Sequence, residues 1–196
     1  YGGNPNRTGY DYLIYEELKK QCHELLITEK NLIEKGNKLI ILSLEKKIEY
    51  DLDIKELPCP VKIIGIIDRI DEWNGQLRIS DYKTGSVKSD RLKYSSNISF
   101  NSIQNKKMKE YRSLFQLLLY SYVYSKQNSL KSINTGIIPL KSPKDYFYPV
   151  TTSFIEEKEN KTKLFSQTFD QFESELLSII INLFDEKTPF IAHDSE

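Results

Sequence analysis

The chain of 196 residues has little cysteine, no excess of charge and no long apolar run. Its two cysteines, Cys22 and Cys59, are too few and too poorly spaced for a zinc or iron–sulfur site. We therefore expect reduced thiols and a cytoplasmic location. No apolar stretch approaches the roughly 18 residues that a membrane-spanning helix requires, so we expect no membrane partner.

The sequence shows no internal repeat and no linker that would divide the chain, and we expect no targeting segment at its start. Its first ten residues, YGGNPNRTGY, are polar and glycine-rich and resemble neither a signal peptide nor a transit peptide. A chain of this length buries about 70% of its unfolded surface as one domain. We predict a single domain over residues 1–196 with its core at about 40–190. Because the chain begins with Tyr1 rather than Met, we expect it to be a fragment of a longer protein.

The spacing of apolar residues predicts an α/β domain in which helices flank a mixed β-sheet. The expected helices cover residues 11–35, about 107–126 and about 164–186; the expected strands cover 39–54, 61–73, 76–84, 132–140 and 145–152. The apolar stripe of the first helix comprises Leu18, Cys22, Leu25, Leu26 and Ile33. Residues 86–108 have no clear period and indicate a long loop with a short helix, and loops of that length are usually functional or disordered.

The segment GIIDRIDEWNGQLRISDYKTG, residues 65–85, predicts a β-hairpin. Asn74-Gly75 between apolar runs is typical of a two-residue type I′ turn, which needs a positive φ at both central positions. Pairing Trp73 with Gln76 then sets Asp68 directly opposite Asp81, with β-carbons about 4.5–5.5 Å apart. Like charges in that position destabilise a sheet, so the pair needs an explanation.

The same register sets Asp71 against Arg78 on the other face of the hairpin. Lys83 shares the face of Asp81, whereas Tyr82 points away and leaves its backbone carbonyl between them. The alternative is that the acids merely end strands near water. Two acids and a lysine on one patch favour a functional site instead.

The charge distribution is uneven although the net charge of the chain is zero. Residues 83–112 contain eight basic and two acidic side chains, a net charge of +6, which leaves −6 for the rest. The basic residues are Lys83, Lys88, Arg91, Lys93, Lys106, Lys107, Lys109 and Arg112. Such a stretch can hold a polyanion over the acidic pair, although charge runs often mark only a solvated loop.

The predicted helix that contains FQLLLYSYVY is apolar almost all round and should be buried. Its polar row within that part is Gln116 and Tyr120, which lie one turn apart on one face. A buried glutamine must find hydrogen-bond partners. Glu45, in LSLEKKIEY, lies on the polar side of its strand, and its role stays open between a surface glutamate and a site residue.

The combination of GIIDRID, ISDYKTG and QLLLY resembles the PD-(D/E)XK nucleases, and within them the RecB/AddB-type nuclease domains of helicase–nucleases. The resemblance covers about residues 40–190 and implies a restriction-endonuclease-like core. It makes Asp68 and Asp81 the two acids of the motif and Lys83 its lysine. Gln116 and Tyr120 correspond to the Q-x-x-x-Y element of the neighbouring helix.

The resemblance implies a DNA nuclease that uses Mg²⁺ or Mn²⁺, in recombination or double-strand-break repair. Asp68, Asp81 and the backbone carbonyl of Tyr82 would bind the metal, and hard oxygen ligands suit these ions. The expected partners are DNA and a helicase–nuclease subunit. Relatives often carry an iron–sulfur cysteine cluster further along, which only a longer parent chain would contain.

Two features depart from the RecB-type pattern, the upstream histidine and the stop at Glu196 before any such cysteine cluster. These nucleases usually have a metal-binding histidine on an upstream helix, and the upstream histidine here, His23, is expected to be a surface residue. His193 is expected to be a tail residue. A catalytically weak or inactive module that binds DNA or a partner is therefore the second hypothesis, and the resemblance leaves endonuclease or exonuclease action and strand preference open.

Overall fold

The computed structural model describes the chain in six ranges, residues 9–95, 98–100, 105–130, 132–141, 146–152 and 163–187. Side chains are described in all of these except residues 105–109 and 163–167. Among the described residues, none of the helices is both long enough and apolar enough to cross a membrane.

The described ranges contain three α-helices and eight β-strands. The helices are α1 (Tyr10–Glu34), α2 (Asn105–Asn128) and α3 (Ser166–Phe184). The strands are β1 (Leu39–Leu52), β2 (Val61–Trp73), β3 (Gln76–Lys83), β4 (Lys93–Tyr94), β5 (Ser132–Pro139), β6 (Tyr148–Pro149), β7 (Thr151–Thr152) and β8 (Lys163–Phe165). A 3₁₀ turn, Ser89–Leu92, precedes β4. These bounds agree with the predicted helices and with the four longest predicted strands to within about three residues.

In these ranges six strands form a mixed sheet in the order β1-β2-β3-β5-β6, with β8 also paired to β5. Most neighbours are antiparallel, but β3 and β5 run parallel and end side by side at Lys83 and Pro139. A second, two-stranded sheet joins β4 and β7. The predicted α/β class with a mixed sheet and flanking helices is confirmed.

The two faces of the large sheet are covered differently. The main core contains Ile48, Ile67, Ile70 and Ile79 of the sheet, Leu114, Leu117 and Leu118 of α2, and Phe169, Phe172, Leu176 and Ile180 of α3. Helix α1 lies against the opposite face, where Leu25 packs with Ile138 in β5 and with Leu140, which directly follows this strand. The sheet therefore lies between α2 and α3 on one side and α1 on the other.

The predicted apolar stripe of α1 is wrong in its orientation. Leu25 is buried, but Leu26 and Ile33 are 63% and 46% exposed, and the other positions buried on this helix are Gln21 and Glu29. The reason lies in the sheet, which presents the buried guanidinium of Arg69 to α1. That group needs a carboxylate partner more than an apolar one, so the polar side of the helix faces inward.

The predicted strand over 145–152 is also corrected, because it is two short strands in different sheets. β6 pairs with β5, the Val150 N–H still donates to the Thr135 carbonyl, and β7 then pairs with β4. The chain leaves the edge of the large sheet at this point, which ends the first strand after two residues. The turn predicted at 142–145 lies outside the described residues.

Candidate active site

The β2–β3 hairpin follows the predicted turn and register. Asn74 and Gly75 have φ angles of 49° and 79°, so the type I′ turn is confirmed. The five cross-strand pairs run from Trp73 with Gln76 to Arg69 with Ser80, all in the predicted alignment. The hairpin thus delivers the motif acids to the end of the ladder away from the turn.

The ladder ends one pair before Asp68 and Asp81. The Tyr82 N–H, which would meet Ile67 if the pairing continued, donates to the Asp68 carboxylate at 2.9 Å from Oδ2. The side chain thus replaces a backbone acceptor, and the two strands separate into a fork. Asp68 and Asp81 are therefore not a ladder pair, although both lie at this fork and the charge of Asp68 acts on Asp81.

Strand β2 changes its facing pattern at the same point. Ile67 and Ile70 are both fully buried in the core on the α2 side, although residues three apart on a regular strand face opposite sides. On β1, Leu44 pairs with Arg69 and Lys46 pairs with Ile67, so Glu45 lies opposite Asp68. Glu45 has a φ of 49°. This left-handed conformation is uncommon for a glutamate and accommodates the irregularity in β2. The Glu45 side chain is exposed.

Asp81 is the most buried of the motif side chains, at 4% exposure. Its Oδ2 lies 2.7 Å from the Lys83 ammonium, which confirms that the two residues share a face. Apart from that ammonium, no donor among the described residues reaches this oxygen. Burial raises the pKa of the Asp81 carboxyl, the neighbouring Lys83 lowers it and the charge of Asp68 raises it, and the net direction is upward.

Tyr82 lies between these two residues and faces the other way, as predicted. Its hydroxyl accepts a hydrogen bond from Arg69 on the α1 side, with Nη1 at 3.0 Å. The Lys83 carbonyl accepts from the Leu140 N–H on the β5 side. Successive carbonyls alternate in direction along a strand, so the Tyr82 carbonyl points toward β2 and into the fork.

Gln116 and Tyr120 lie on α2, on the core side of the sheet. Gln116 Nε2 donates to the Tyr120 hydroxyl at 3.2 Å, and both side chains are half-buried. The Tyr120 ring rests on the backbone of Gly65, where an added Cβ would lie 2.7 Å from Cε1. Among the described residues, no hydrogen bond joins this pair to Asp68, Asp81 or Lys83. The pair packs against the strand that carries Asp68.

The opposite face of the hairpin holds a buried network that the sequence analysis did not predict beyond Asp71 and Arg78. Asp71 accepts from Arg78 Nε at 2.7 Å and Nη2 at 3.0 Å, and from Arg69 Nε at 2.7 Å. Arg69 Nη1 also donates to Glu29 of α1 at 2.6 Å. Tyr146 donates to the same Glu29 oxygen, and burial followed by this bond raises the pKa of Tyr146 to about 12. Two cations and two anions balance in this network.

His23 does not belong to the fork. It is exposed on α1, two residues from the buried Gln21 and hence on the far side of a helix that covers the other face of the sheet. In the part of the chain that the structure describes, no cluster of three or more His, Cys, Asp and Glu side chains has metal-site geometry. Asp68 and Asp81 are therefore a pair of candidate metal ligands, with no third His, Cys, Asp or Glu ligand among the described residues. His193 lies outside the described residues.

The basic stretch is described only in part. Lys88, Lys93 and Arg112 are exposed, and Arg91 forms an ion pair with Glu110. The side chains of Lys106, Lys107 and Lys109 lie outside the described set. A DNA-binding role of the whole stretch stays a prediction.

Comparison with known proteins decides the family. The family model of the PD-(D/E)XK nuclease superfamily matches residues 5–195. The chain belongs to the PD-(D/E)XK nuclease superfamily. Its mixed sheet with flanking helices is consistent with the restriction-endonuclease-like fold of that superfamily. No curated protein and no solved structure matches the chain significantly.

Proposed function

We propose that this superfamily member is a divalent-metal-dependent DNA nuclease of the RecB/AddB type that acts in recombination or double-strand-break repair. The observation that carries the proposal is the fork between β2 and β3, where Asp68, Asp81 and Lys83 meet in a chain that the superfamily model spans. The proposal includes DNA and a helicase–nuclease subunit as partners, and a cytoplasmic location. The exposed, unpaired cysteines are compatible with that location.

The residues at the fork fit Mg²⁺ or Mn²⁺. Asp81 is buried, and among the described residues its Oδ2 meets only the Lys83 ammonium, while Asp68 has one oxygen engaged by the Tyr82 N–H. Mg²⁺ commonly binds through one or two carboxylates and keeps several waters, so two acids with the Tyr82 carbonyl form a suitable set. A bound cation supplies charge neutralisation at the phosphate and activates water.

The protein residues have separate tasks in this proposal. Lys83, 35% exposed, is near enough to solvent to approach a phosphate and holds its ammonium beside Asp81. It stabilises negative charge that develops on the phosphate oxygens. Tyr120 packs on Gly65 and fixes the strand three residues before Asp68, while Gln116 orients the Tyr120 hydroxyl. These two are positioning residues.

Cleavage of labelled linear and plasmid DNA tests the proposal. The parent should cut with Mg²⁺ or Mn²⁺ and not with EDTA, and Asp68→Asn, Asp81→Asn and Lys83→Ala should each lower the rate by about 100-fold or more. Asp51→Asn is the control, because Asp51 is an exposed acid paired with Lys62 at the far end of the sheet. Metal-independent cutting, or full activity of Asp81→Asn, would refute the assignment.

An inactive module that binds DNA or a partner remains the second candidate. The exposed position of His23, away from the fork, favours it, since RecB-type sites usually include an upstream histidine. In that case Mn²⁺ would still raise the melting temperature of the parent, whereas no DNA would be cut at any metal concentration.

A further inference from the structure

Glu45 on β1 holds a backbone conformation that its own side chain does not explain. Its φ of 49° lies in the left-handed region, which is uncommon for a residue other than glycine. Its side chain is exposed and forms no hydrogen bond or ion pair with another described residue. Strained backbone of this kind persists only where the surrounding structure imposes it, and it concentrates at functional sites. The structure that surrounds Glu45 is the ladder between β1 and β2.

Both strands of this ladder change the side that they present where Glu45 lies opposite Asp68. The register is the same before and after this position, so neither strand contains an inserted residue there. Ile67 and Ile70 both lie in the core, although residues three apart on a regular strand face opposite sides. Their partners on β1 are also three residues apart, and opposite residues of a ladder share a face. Two facing kinks therefore replace one regular pair.

A regular β2 would serve either the core or the fork, but not both. Adjacent residues of a regular strand face opposite sides, so burial of Ile67 in the core would turn Asp68 to the α1 side. Asp81 lies on the core side of β3, two residues after the buried Ile79. The kink removes the conflict, because Ile67 stays fully buried while the Asp68 carboxylate accepts from the Tyr82 N–H at the fork.

We propose that Glu45 is a positioning residue of the fork and that it acts through its backbone. Its left-handed conformation kinks β1, which lets β2 kink at the facing position and holds the Asp68 carboxylate at the Tyr82 N–H. The Glu45 carboxylate takes no part, because it is exposed and has no hydrogen bond to the residues of the fork. The inference rests on the proposed function, since Asp68 is a ligand of the proposed metal site.

Substitutions at position 45 separate the backbone from the side chain. Glu45→Gly and Glu45→Asn remove the carboxylate but adopt the left-handed conformation readily. Glu45→Val removes the same carboxylate and resists that conformation, because its side chain is β-branched. Lys46 is the matched control position, since it is the next residue of β1, is exposed and has no positive φ. Lys46→Gly and Lys46→Val are the control variants.

Two measurements report on Asp68 directly. The first is hydrogen exchange of the Tyr82 N–H in EDTA, followed by NMR relative to the amides of the β2–β3 ladder; the second is Mn²⁺ affinity by calorimetry. Glu45→Gly and Glu45→Asn should match the parent in both, and Glu45→Gly should raise the melting temperature by about 2–4 °C. Glu45→Val should lose the protection of the Tyr82 N–H and bind Mn²⁺ about tenfold more weakly or worse. Lys46→Gly should lower the melting temperature without changing either measurement, and Lys46→Val should change neither.

Equal losses in Glu45→Gly and Glu45→Val would mean that the carboxylate itself acts, and parent-like behaviour of Glu45→Val would mean that the backbone conformation has no role. Either result overturns the inference. Glu45→Ala replaces Glu45→Val if the valine variant does not fold. If the parent binds no Mn²⁺ and cuts no DNA, the proposed function fails, and exchange of the Tyr82 N–H alone decides whether Glu45 positions Asp68. If the parent binds Mn²⁺ and cuts DNA but exchange is the same in all variants, the positioning role alone fails.

Discussion

On the α1 side of the β2–β3 hairpin, Asp71 accepts three hydrogen bonds from Arg69 and Arg78, and Glu29 balances the second guanidinium. On the α2 side, Asp81 is nearly as buried, but among the described residues its Oδ2 has a single cation beside it and no further donor. The two faces thus differ in how completely buried charge is satisfied. A complete network indicates a structural role, whereas an incomplete one leaves capacity for a ligand.

The largest effect should come from the satisfied face. Asp71→Asn removes the charge that two buried guanidinium groups share, so we expect it to lower the free energy of unfolding by about 3–5 kcal/mol. Urea unfolding followed by the fluorescence of Trp73, the single tryptophan, measures this. If Asp71→Asn does not fold, Arg69→Lys tests the same network with its charge kept and its forked geometry lost.

Asp81→Asn is the matched substitution on the other face. We expect it to leave the metal-free protein as stable as the parent or more stable at neutral pH. A loss as large as that of Asp71→Asn would mean that both faces are structural, and the contrast between them would disappear.

Gly65→Ala tests packing at the fork instead of charge. The new Cβ would lie 2.7 Å from the Tyr120 ring, so the ring must shift, and we expect a cost of about 1–3 kcal/mol with a lower cleavage rate. Gly85→Ala is the control for stability, because an added Cβ there meets no atom within 4 Å. Equal stability of the two variants would show that the Tyr120 ring moves aside without lowering the free energy of unfolding.

Tyr82→Phe probes a residue that contacts both the Arg69 network and Asp68 at the fork. It removes the hydroxyl that Arg69 bonds but keeps the N–H that Asp68 bonds, so we expect a loss of about 1 kcal/mol. Cleavage should be largely retained, since the backbone supplies the contacts at the fork. A large loss of activity at unchanged stability would show that the network controls the site.

The smallest effect concerns pH in the absence of metal. The pKa of Asp81 is raised in the folded protein, so the folded state holds its proton to higher pH than the unfolded chain does. The contribution of Asp81 to stability should therefore fall as pH rises from the usual carboxyl pKa through the raised one. Unfolding measured across that range should show this fall in the parent and not in Asp81→Asn. Parallel profiles would contradict it.

The sequence predicted the hairpin well because local rules set it. A two-residue Asn-Gly turn fixes the register, and alternation fixes which side chains share a face, so the Asp71–Arg78 pair and the Asp81–Lys83 face followed directly. The fork did not follow, because a register argument assumes that backbone groups pair with each other. Here the Asp68 carboxylate takes the Tyr82 N–H instead.

The orientation of α1 was not predictable from its own periodicity. The apolar spacing predicts that the apolar stripe of α1 faces the sheet. The group that α1 covers is instead the buried guanidinium of Arg69, forty residues from Glu29 in the sequence, and its charge favours Glu29 on the inner face. A cavity of about 340 Å³ beside Lys83 also depends on segments distant in sequence, since Ser113 of α2 and Ile137 of β5 both line it. Contacts of this kind depend on the tertiary arrangement and leave no local pattern.

The most direct test of the central claim, that the fork and not the opposite face binds a divalent cation, is the stabilisation of the protein by Mn²⁺. Melting is measured with and without Mn²⁺ for the parent, for Asp68→Asn and for the control Asp51→Asn. The account predicts a gain of about 2.7 kcal/mol for the parent and the control at one hundred times the dissociation constant, and a much smaller gain for Asp68→Asn. An equal gain in all three proteins, or none in the parent, would contradict it.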